Sequence, residues 1–311
     1  MSFTFKEIEP INKQIVHCLS SGQQLIYYKD SKNNEKWTTL GVGKIDENNS
    51  TGEIFNSYSG NNKNIASGDY SHAEGEETTA SGTSSHAEGF NSSATGDYSH
   101  AEGFRTNANG KHSHAECDFT NAIGPYSHAE GSNSTSNADS SHAEGHGTIA
   151  SGFASHAEGN TTTASGLGSH AEGSNTTASG QNSHAEGNHT TASGQYSHAS
   201  GNYTTASGQD SHAEGNYTIA SGQYSHASGN YTVADQDNMT AIGKYNINDY
   251  VSNVGKLFVV GNGSSDNART DAFVVKGNGY VYIQKRLNVN DKDIIIGNNS
   301  NVNIQNVNSI T

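Results

Sequence analysis

The sequence predicts an all-β chain built around a parallel β-roll of 14-residue turns, with small β-rich segments at both ends. Three observations predict it. Ser-His-Ala-(Glu/Ser)-(Gly/Cys) occurs twelve times between Ser71 and Gly229, always 14 residues apart. Hydrophobic residues make up only 31% of the chain, against about 45–50% in ordinary globular domains, so large apolar side chains cannot be what fills the interior. The register is strict, whereas polar low-complexity disorder has no need of one.

Each 14-residue row divides into two sevens, as in Ala66–His72 followed by Ala73–Thr79, both reading Ala-x-Gly-x-x-(Ser/Thr)-x. One row is therefore two short strands and two corners. Side chains alternate along a strand, so Ser71, Ala73 and Gly75 share one face while His72 and Glu74 share the other. A turn this short brings its two walls close together, and only the Ser/Ala/Gly face fits between them. His and Glu then point outward and stack on their equivalents at roughly 4.7–4.9 Å per turn, giving a rod of about 60 Å. The glycines are expected at the corners, where positive φ suits them. Such a lumen buries little apolar surface, and a backbone hydrogen bond nets only about 1 kcal/mol, so several chains are expected to bury one wall against each other.

The chain divides into residues 1–59, 60–243 and 244–311. In the first, Gln23–Lys29 and Lys36–Val42 flank a polar turn and predict a hairpin in a β-rich docking segment. The second is the repeat. In the third, Leu257–Val260, Ala272–Lys276 and Tyr280–Ile283 are strand runs separated by Gly-Asn turns, and Ile294–Ile304 is an Asn-rich strand series; this segment is expected to cap the rod and lock the assembly.

Charge excludes some partners. The chain carries a net charge of −15, and between Ala66 and Gly243 only Arg105 and Lys111 oppose 19 acidic residues. Such a surface repels nucleic-acid phosphates and anionic lipid. The two cysteines, Cys18 and Cys117, form neither a disulfide framework nor a zinc pattern; Cys117 stands in place of a row glycine. No signal-peptide core and no membrane-spanning run is expected.

The repeat resembles the left-handed β-roll of YadA-like trimeric adhesin heads, whose rows read approximately Ser-Val-Ala-Ile-Gly-x-x-Ser-x-Ala-x-Gly. Thr240-Ala241-Ile242-Gly243 and Ala122-Ile123-Gly124 keep the Ala-Ile-Gly core, and the resemblance spans about residues 60–243. The Ser-His-Ala-Glu-Gly form is similar to repeats of phage and prophage tail-fibre proteins, as is the segment from Lys256–Gly263 to Lys276–Gly279. The resemblance implies a left-handed roll in a homotrimeric fibre. Where the adhesin rows carry Val and Ile, this chain carries His and Glu. Two faces compete for the trimer axis: the unvarying His/Glu face, with His72, Glu74, His86, Glu88, His100, Glu102, His156, Glu158, His170 and Glu172 as its ladder, and the variable face of Thr79, Asn107, Ile149, Thr177, Ile219 and Val233. The unvarying one is the better candidate.

The histidine column, which also includes His114, His128, His142, His184, His198, His212 and His226, allows two uses. Symmetry could gather imidazoles and carboxylates into rings that hold a transition metal, or each His could bond a neighbouring Glu and keep the trimer in register. The second asks for less, so neither a firm metal site nor a cofactor is expected. His-x-Glu also occurs in zinc deaminases, but there it needs a Pro-Cys-x-x-Cys partner that is missing, and identical rows do not make one active site, so no enzyme is expected. Tyr203, Tyr217 and Tyr231 lie one row apart at one corner, with Tyr196 and Tyr224 at the other; such stripes either contact glycans or pack on each other. The Asn-x-Thr sequons at Asn160, Asn175, Asn188, Asn202, Asn216 and Asn230 follow from the repeat itself.

The expectation is a non-enzymatic tail-fibre or baseplate-associated protein of a phage or phage-derived bacteriocin, on a virion or tail-like particle. Its partners are itself, a tail or baseplate protein, and a bacterial surface polysaccharide or protein. A bacterial surface adhesin is the alternative, and an ice- or carbohydrate-binding solenoid, suggested by rows such as Thr161–Thr163, a third.

Overall fold

The computed structural model describes residues 64–248 and 255–284, together with the backbone of the strands Gln14–His17, Gln24–Lys29, Glu35–Leu40 and Glu53–Asn56. All elements among the described residues are strands. The expected hairpin is present: Gln24–Lys29 pairs antiparallel with Glu35–Leu40, setting Tyr27 opposite Trp37, and Gln14–His17 adds a third strand on the other side. The Ile294–Ile304 series lies outside the described residues.

The repeat is a parallel β-solenoid with two walls. Its long wall runs from Glu53–Asn56 and His72–Gly75 through His226–Asn230 to Thr240–Lys244, every strand pairing with its equivalent 14 residues on within the repeat, for example His156 with His170 and Glu158 with Glu172. Its short wall is a file of 13 two-residue strands from Ile65–Ala66 to Val233–Ala234. Both are open ladders, as a roll that grows by stacking requires.

The lumen is the small-residue face. Ala73, Ala87 and their successors on the long wall, and Ala80, Ala94 and theirs on the short wall, are fully buried, as are the serines that precede each His and the threonines at Thr78, Thr106 and onward. These hydroxyls fare differently at the two sides. Most lumenal serines donate to a corner carbonyl three residues back, as in Ser183 Oγ to Gly180 O at 2.7 Å and Ser197 Oγ to Gly194 O at 2.7 Å, while Ser127, Ser155 and Ser225 make no such bond. The hydroxyls of Thr176, Thr190 and Thr204 are buried with no hydrogen-bond partner. A buried unpaired hydroxyl costs about 1–3 kcal/mol, whereas a made bond nets about 1. Thr190→Val, which keeps the shape and removes the orphan, is therefore expected to raise stability by about 1 kcal/mol, and Ser183→Ala to lower it by about 1; opposite shifts of the two thermal midpoints check this, and a fall in both would show that the threonine hydroxyl is satisfied.

The corners correct one expectation. Positive φ there falls on non-glycine residues in every row but those of Gly147 and Gly168, such as Tyr70 (58°), Ser84 (53°) and Tyr98 (59°) on one side and Asn91 (55°) and Arg105 (56°) on the other. The corner glycines do another job: a methyl at Gly82 or Gly194 would run into the carbonyl of the glycine one turn on. The corner side chain points to solvent, where its cost in left-handed backbone, about 1–2 kcal/mol, is offset by stacking on its neighbours. Glycine is conformationally required on the long wall instead, as at Gly187 (φ 108°).

Both ends of the roll are closed by an asparagine in the register of the lumenal threonine. Asn64 Oδ1 accepts from Thr78 N at 3.1 Å; Asn246 Oδ1 accepts from Val233 N at 2.7 Å while its amide donates to Val233 O at 2.8 Å. The Asn246 amide stands in for the next strand and satisfies an edge that would otherwise pair with another chain, whereas the Asn64 amide also donates to Gly75 O at 2.9 Å and ties the first row to the second. Beyond the repeat the long wall gains Lys256–Asn262, parallel to Thr240–Lys244, then turns antiparallel through Asp271–Lys276 and Val281–Ile283. A buried ion pair, Lys256 to Asp271 at 3.1 Å, ties this cap together, and Arg269 donates to the carbonyls of Tyr231 and Asn246 at 2.9 and 3.1 Å.

Candidate functional site

The long wall presents two columns outward because strand alternation sends His72 and Glu74, and each later pair, away from the alanine between them. From His86 to His198 the imidazoles are stacked with ring centroids 4.7–4.9 Å apart and planes within 4° of parallel. From His100 to His198 each ring's Nε2 lies beside the glutamate of the preceding turn: His100 with Glu88 at 3.5 Å, His114 with Glu102 at 3.5 Å, His156 with Glu144 at 3.7 Å, His170 with Glu158 at 3.6 Å, His184 with Glu172 at 3.6 Å. Of these preceding-turn pairs among the described residues, His128 with Glu116, at 3.1 Å, is close enough for a hydrogen bond. The Nε2 atoms of His86, His100, His114, His142, His156, His170, His184, His198 and His212 are shut off from solvent with no hydrogen-bond partner, although the rings themselves are about one-third exposed. Where Ser200 replaces a glutamate, the next ring gives way: His212 tilts 54° from His198 and turns to Glu214 of its own row at 3.7 Å. His72 likewise faces Glu74 of its own row at 3.6 Å; His226 lies 3.9 Å from Glu214.

Next to the glutamates the long-wall glycines leave a groove of about 820 Å³, lined by Glu130, Glu144, Glu158, Glu172 and Glu186, with Cys117 and Ser200 along it. The Cys117 backbone is at φ 79°, a conformation its glycine neighbours in the column reach more easily.

Carboxyls one turn apart cannot all ionise freely. Burial, then hydrogen bonds to Glu102 and Glu74, push Glu88 up to about 7. Hydrogen bonds to Glu144 and Glu172 push Glu158 up to about 7, and the bond to Glu144 raises Glu130. The intervening Glu102, Glu144 and Glu172 are held below their ordinary value, chiefly because those bonds favour their ionised form. Burial lowers His86, His100, His142, His170 and His212, and the neighbouring imidazoles lower them further. A carboxyl raised on folding contributes stability that is lost as pH rises through about 7; a histidine lowered below 6.5 contributes stability that is lost as pH falls through 6.5. The carboxyl contribution falls between about pH 4.5 and 7 while the histidine contribution rises with pH, so the carboxyl part is isolated by comparing the chain at each pH with a Glu88→Gln, Glu158→Gln variant. The thermal midpoint of that variant relative to the parent is expected to rise as pH rises from about 4.5 to about 7 and to level off above it, and a difference that does not change with pH would refute the shared-proton column.

The tyrosines stack as well. His189, Tyr203, Tyr217, Tyr231 and Tyr245 form one file at 4.6–4.7 Å with planes within 12°. Each ring face inside the file is covered by the next ring, so what Tyr203, Tyr217 and Tyr231 offer a glycan is ring edges and hydroxyls. Tyr196 and Tyr224 occupy the opposite corner, at φ 56° and 57°. The sequon threonines Thr190, Thr204 and Thr218 are lumenal and fully buried, while Thr177, which completes the Asn175 sequon, is only partly buried. On the short wall, Ile149 and Ile219 are exposed while Val233 is buried. Missed at the level of sequence were Asn64 and Asn246; extending the 14-residue register of Thr78 and Thr232 by one row in each direction lands on them.

These features define a structural repeat: a parallel β-solenoid whose outward wall is two columns of complementary side chains rather than one constellation. The repeat is a YadA-like β-roll, because the family described as YadA head domain repeat (2 copies) matches residues 73–99, 143–169, 171–197, 199–225 and 214–234. Comparison of the chain with curated proteins finds no match.

Proposed function

We propose that the chain forms a homotrimeric attachment fibre, in which the β-roll is a stiff, non-enzymatic shaft and the His/Glu wall faces the trimer axis. One observation carries this reading: an unvarying wall on which the imidazoles from His86 to His198 stack within 4° of parallel beside a column of glutamates, with the side chains of both columns still about one-third exposed. An alanine-filled lumen buries little apolar surface, and neighbouring copies packed on this wall supply the burial it lacks. Members of the matched family act as adhesin heads, which supports a role in attachment to a bacterial surface. The Ser-His-Ala-Glu-Gly form favours a phage or phage-derived tail fibre, with residues 1–59 docking on the particle; a bacterial surface adhesin is the second reading, favoured by the family match alone.

Light scattering tests the assembly: a mass near three times 32.7 kDa is expected, and a stable single chain would overturn the fibre. Immunogold labelling tests its place. Label on tail-like particles after lysis supports the tail-fibre reading, and label confined to the surface of intact cells replaces it with the adhesin.

A further inference from the structure

The His and Glu columns have the dimensions of a metal file. Two donors held by one ion at about 2.0–2.2 Å sit about 2.9–3.6 Å apart. From His100 with Glu88 to His198 with Glu186, the Nε2–carboxylate distances are 3.1–3.7 Å. Successive imidazoles are too far apart to share an ion: with bonds of about 2.1 Å the two nitrogens could be no more than about 4.2 Å apart, and the stacked rings repeat at 4.7–4.9 Å. The His-Glu-His triads that crowd within 4.8 Å of one another therefore resolve into pairs, one His and one Glu per turn. Imidazole with carboxylate suits borderline divalent ions such as zinc, cobalt and nickel.

We propose that these pairs form a file of transition-metal sites, one per turn, over the eight consecutive turns whose His faces the Glu of the turn before. A single pair supplies only two protein donors to an ion held in the narrow gap between ring and carboxylate. Three copies around an axis bring three nitrogens and three carboxylates to each level, so the full site rests on the trimer reading above. The file ends where the chemistry ends: Ser200 removes the carboxylate from the His212 turn, and that ring has already turned away.

The test uses the full chain without an affinity tag, stripped with chelator and dialysed against micromolar cobalt(II). Bound cobalt is measured by elemental analysis, and mass by light scattering on the same sample. Saturation near eight ions per three chains, with visible bands of six-coordinate cobalt, is expected. His156→Ala, His170→Ala and His184→Ala together should lose about three-eighths of the load, whereas His112→Ala with His189→Ala, which removes corner rings outside the column, should lose none. Eight ions per chain on a single-chain species would uphold the pairs and overturn the trimer. A trimer that retains no cobalt, or a triple variant that binds as much as the parent, would overturn the metal file and leave the trimer standing.

Discussion

Gly194→Ala is expected to destabilise the roll by about 3 kcal/mol, at the upper end of the usual cost of overpacking, although it adds one methyl to a corner of ordinary φ. That methyl would overlap the carbonyl of Gly208, the equivalent backbone one turn on, and backbone held by ladders on both sides has little room to give. Gly147→Ala is the control. Its φ of 65° strains an alanine, but the nearest atom, the Thr161 hydroxyl oxygen, is 3.8 Å away, so only the cost of left-handed backbone applies, about 1 kcal/mol. The chain holds its own exceptions. Ala138 occupies the same column as Gly194, and the row that carries it has its long-wall strand cut to His128–Ala129, with Ser136 and Ser141 bonded across the lumen at 2.6 Å. Gln236 occupies the column at the last row, where its carboxamide accepts from Lys256 N at 2.6 Å. Because turns touch only their neighbours, hydrogen exchange should quicken around residues 180–208 in Gly194→Ala and remain slow near Ala87. A variant that melts with the parent would mean the turns are not stacked as closely as Gly194 and Gly208 indicate.

What could be read in the sequence depended on period. A strict 14-residue spacing with alternation inside Ser71–Gly75 determines lumen and surface without ambiguity, and the structure places Ser71 and Ala73 inside and His72 and Glu74 outside. Composition misleads at the corners. Glycine there reads as a conformational need, yet Tyr98 and Arg105 take the positive φ and Gly96 is small only because backbone lies against it. The continuation of the long wall into Lys256–Asn262 was hidden because Phe258 pairs with Thr240 at a spacing longer than the repeat. The shortfall between His Nε2 and the carboxylates is a matter of a few tenths of an ångström, which no residue pattern encodes, and it is what leaves the column chemically unsatisfied.

The wall that faces the axis can be decided by charge. Replacing His156, His170 and His184 together with glutamate would set three new carboxylates at 4.8–4.9 Å intervals beside Glu144, Glu158 and Glu172. Each pair of like charges at that distance costs about 1 kcal/mol in water and about 3–4 at an effective permittivity of 20. On a solvent-facing wall the lower figure applies, screening reduces it further, and shared protons of the kind already held by Glu158 relieve much of the rest. On a trimer axis the same substitution places nine new carboxylates in a space that water reaches poorly, and the higher figure applies to every contact between chains. The triple variant is therefore expected to elute and scatter as a single chain at neutral pH and to reassociate below about pH 5, where carboxyls take up protons. Matched replacement of Thr163, Thr177 and Thr191 by glutamate on the short wall should leave the assembly intact. Should the short-wall variant fall apart while the His-column variant remains three chains, the Thr/Ile face lies on the axis, and the His/Glu groove faces the medium, open to ions and to whatever surface the fibre meets.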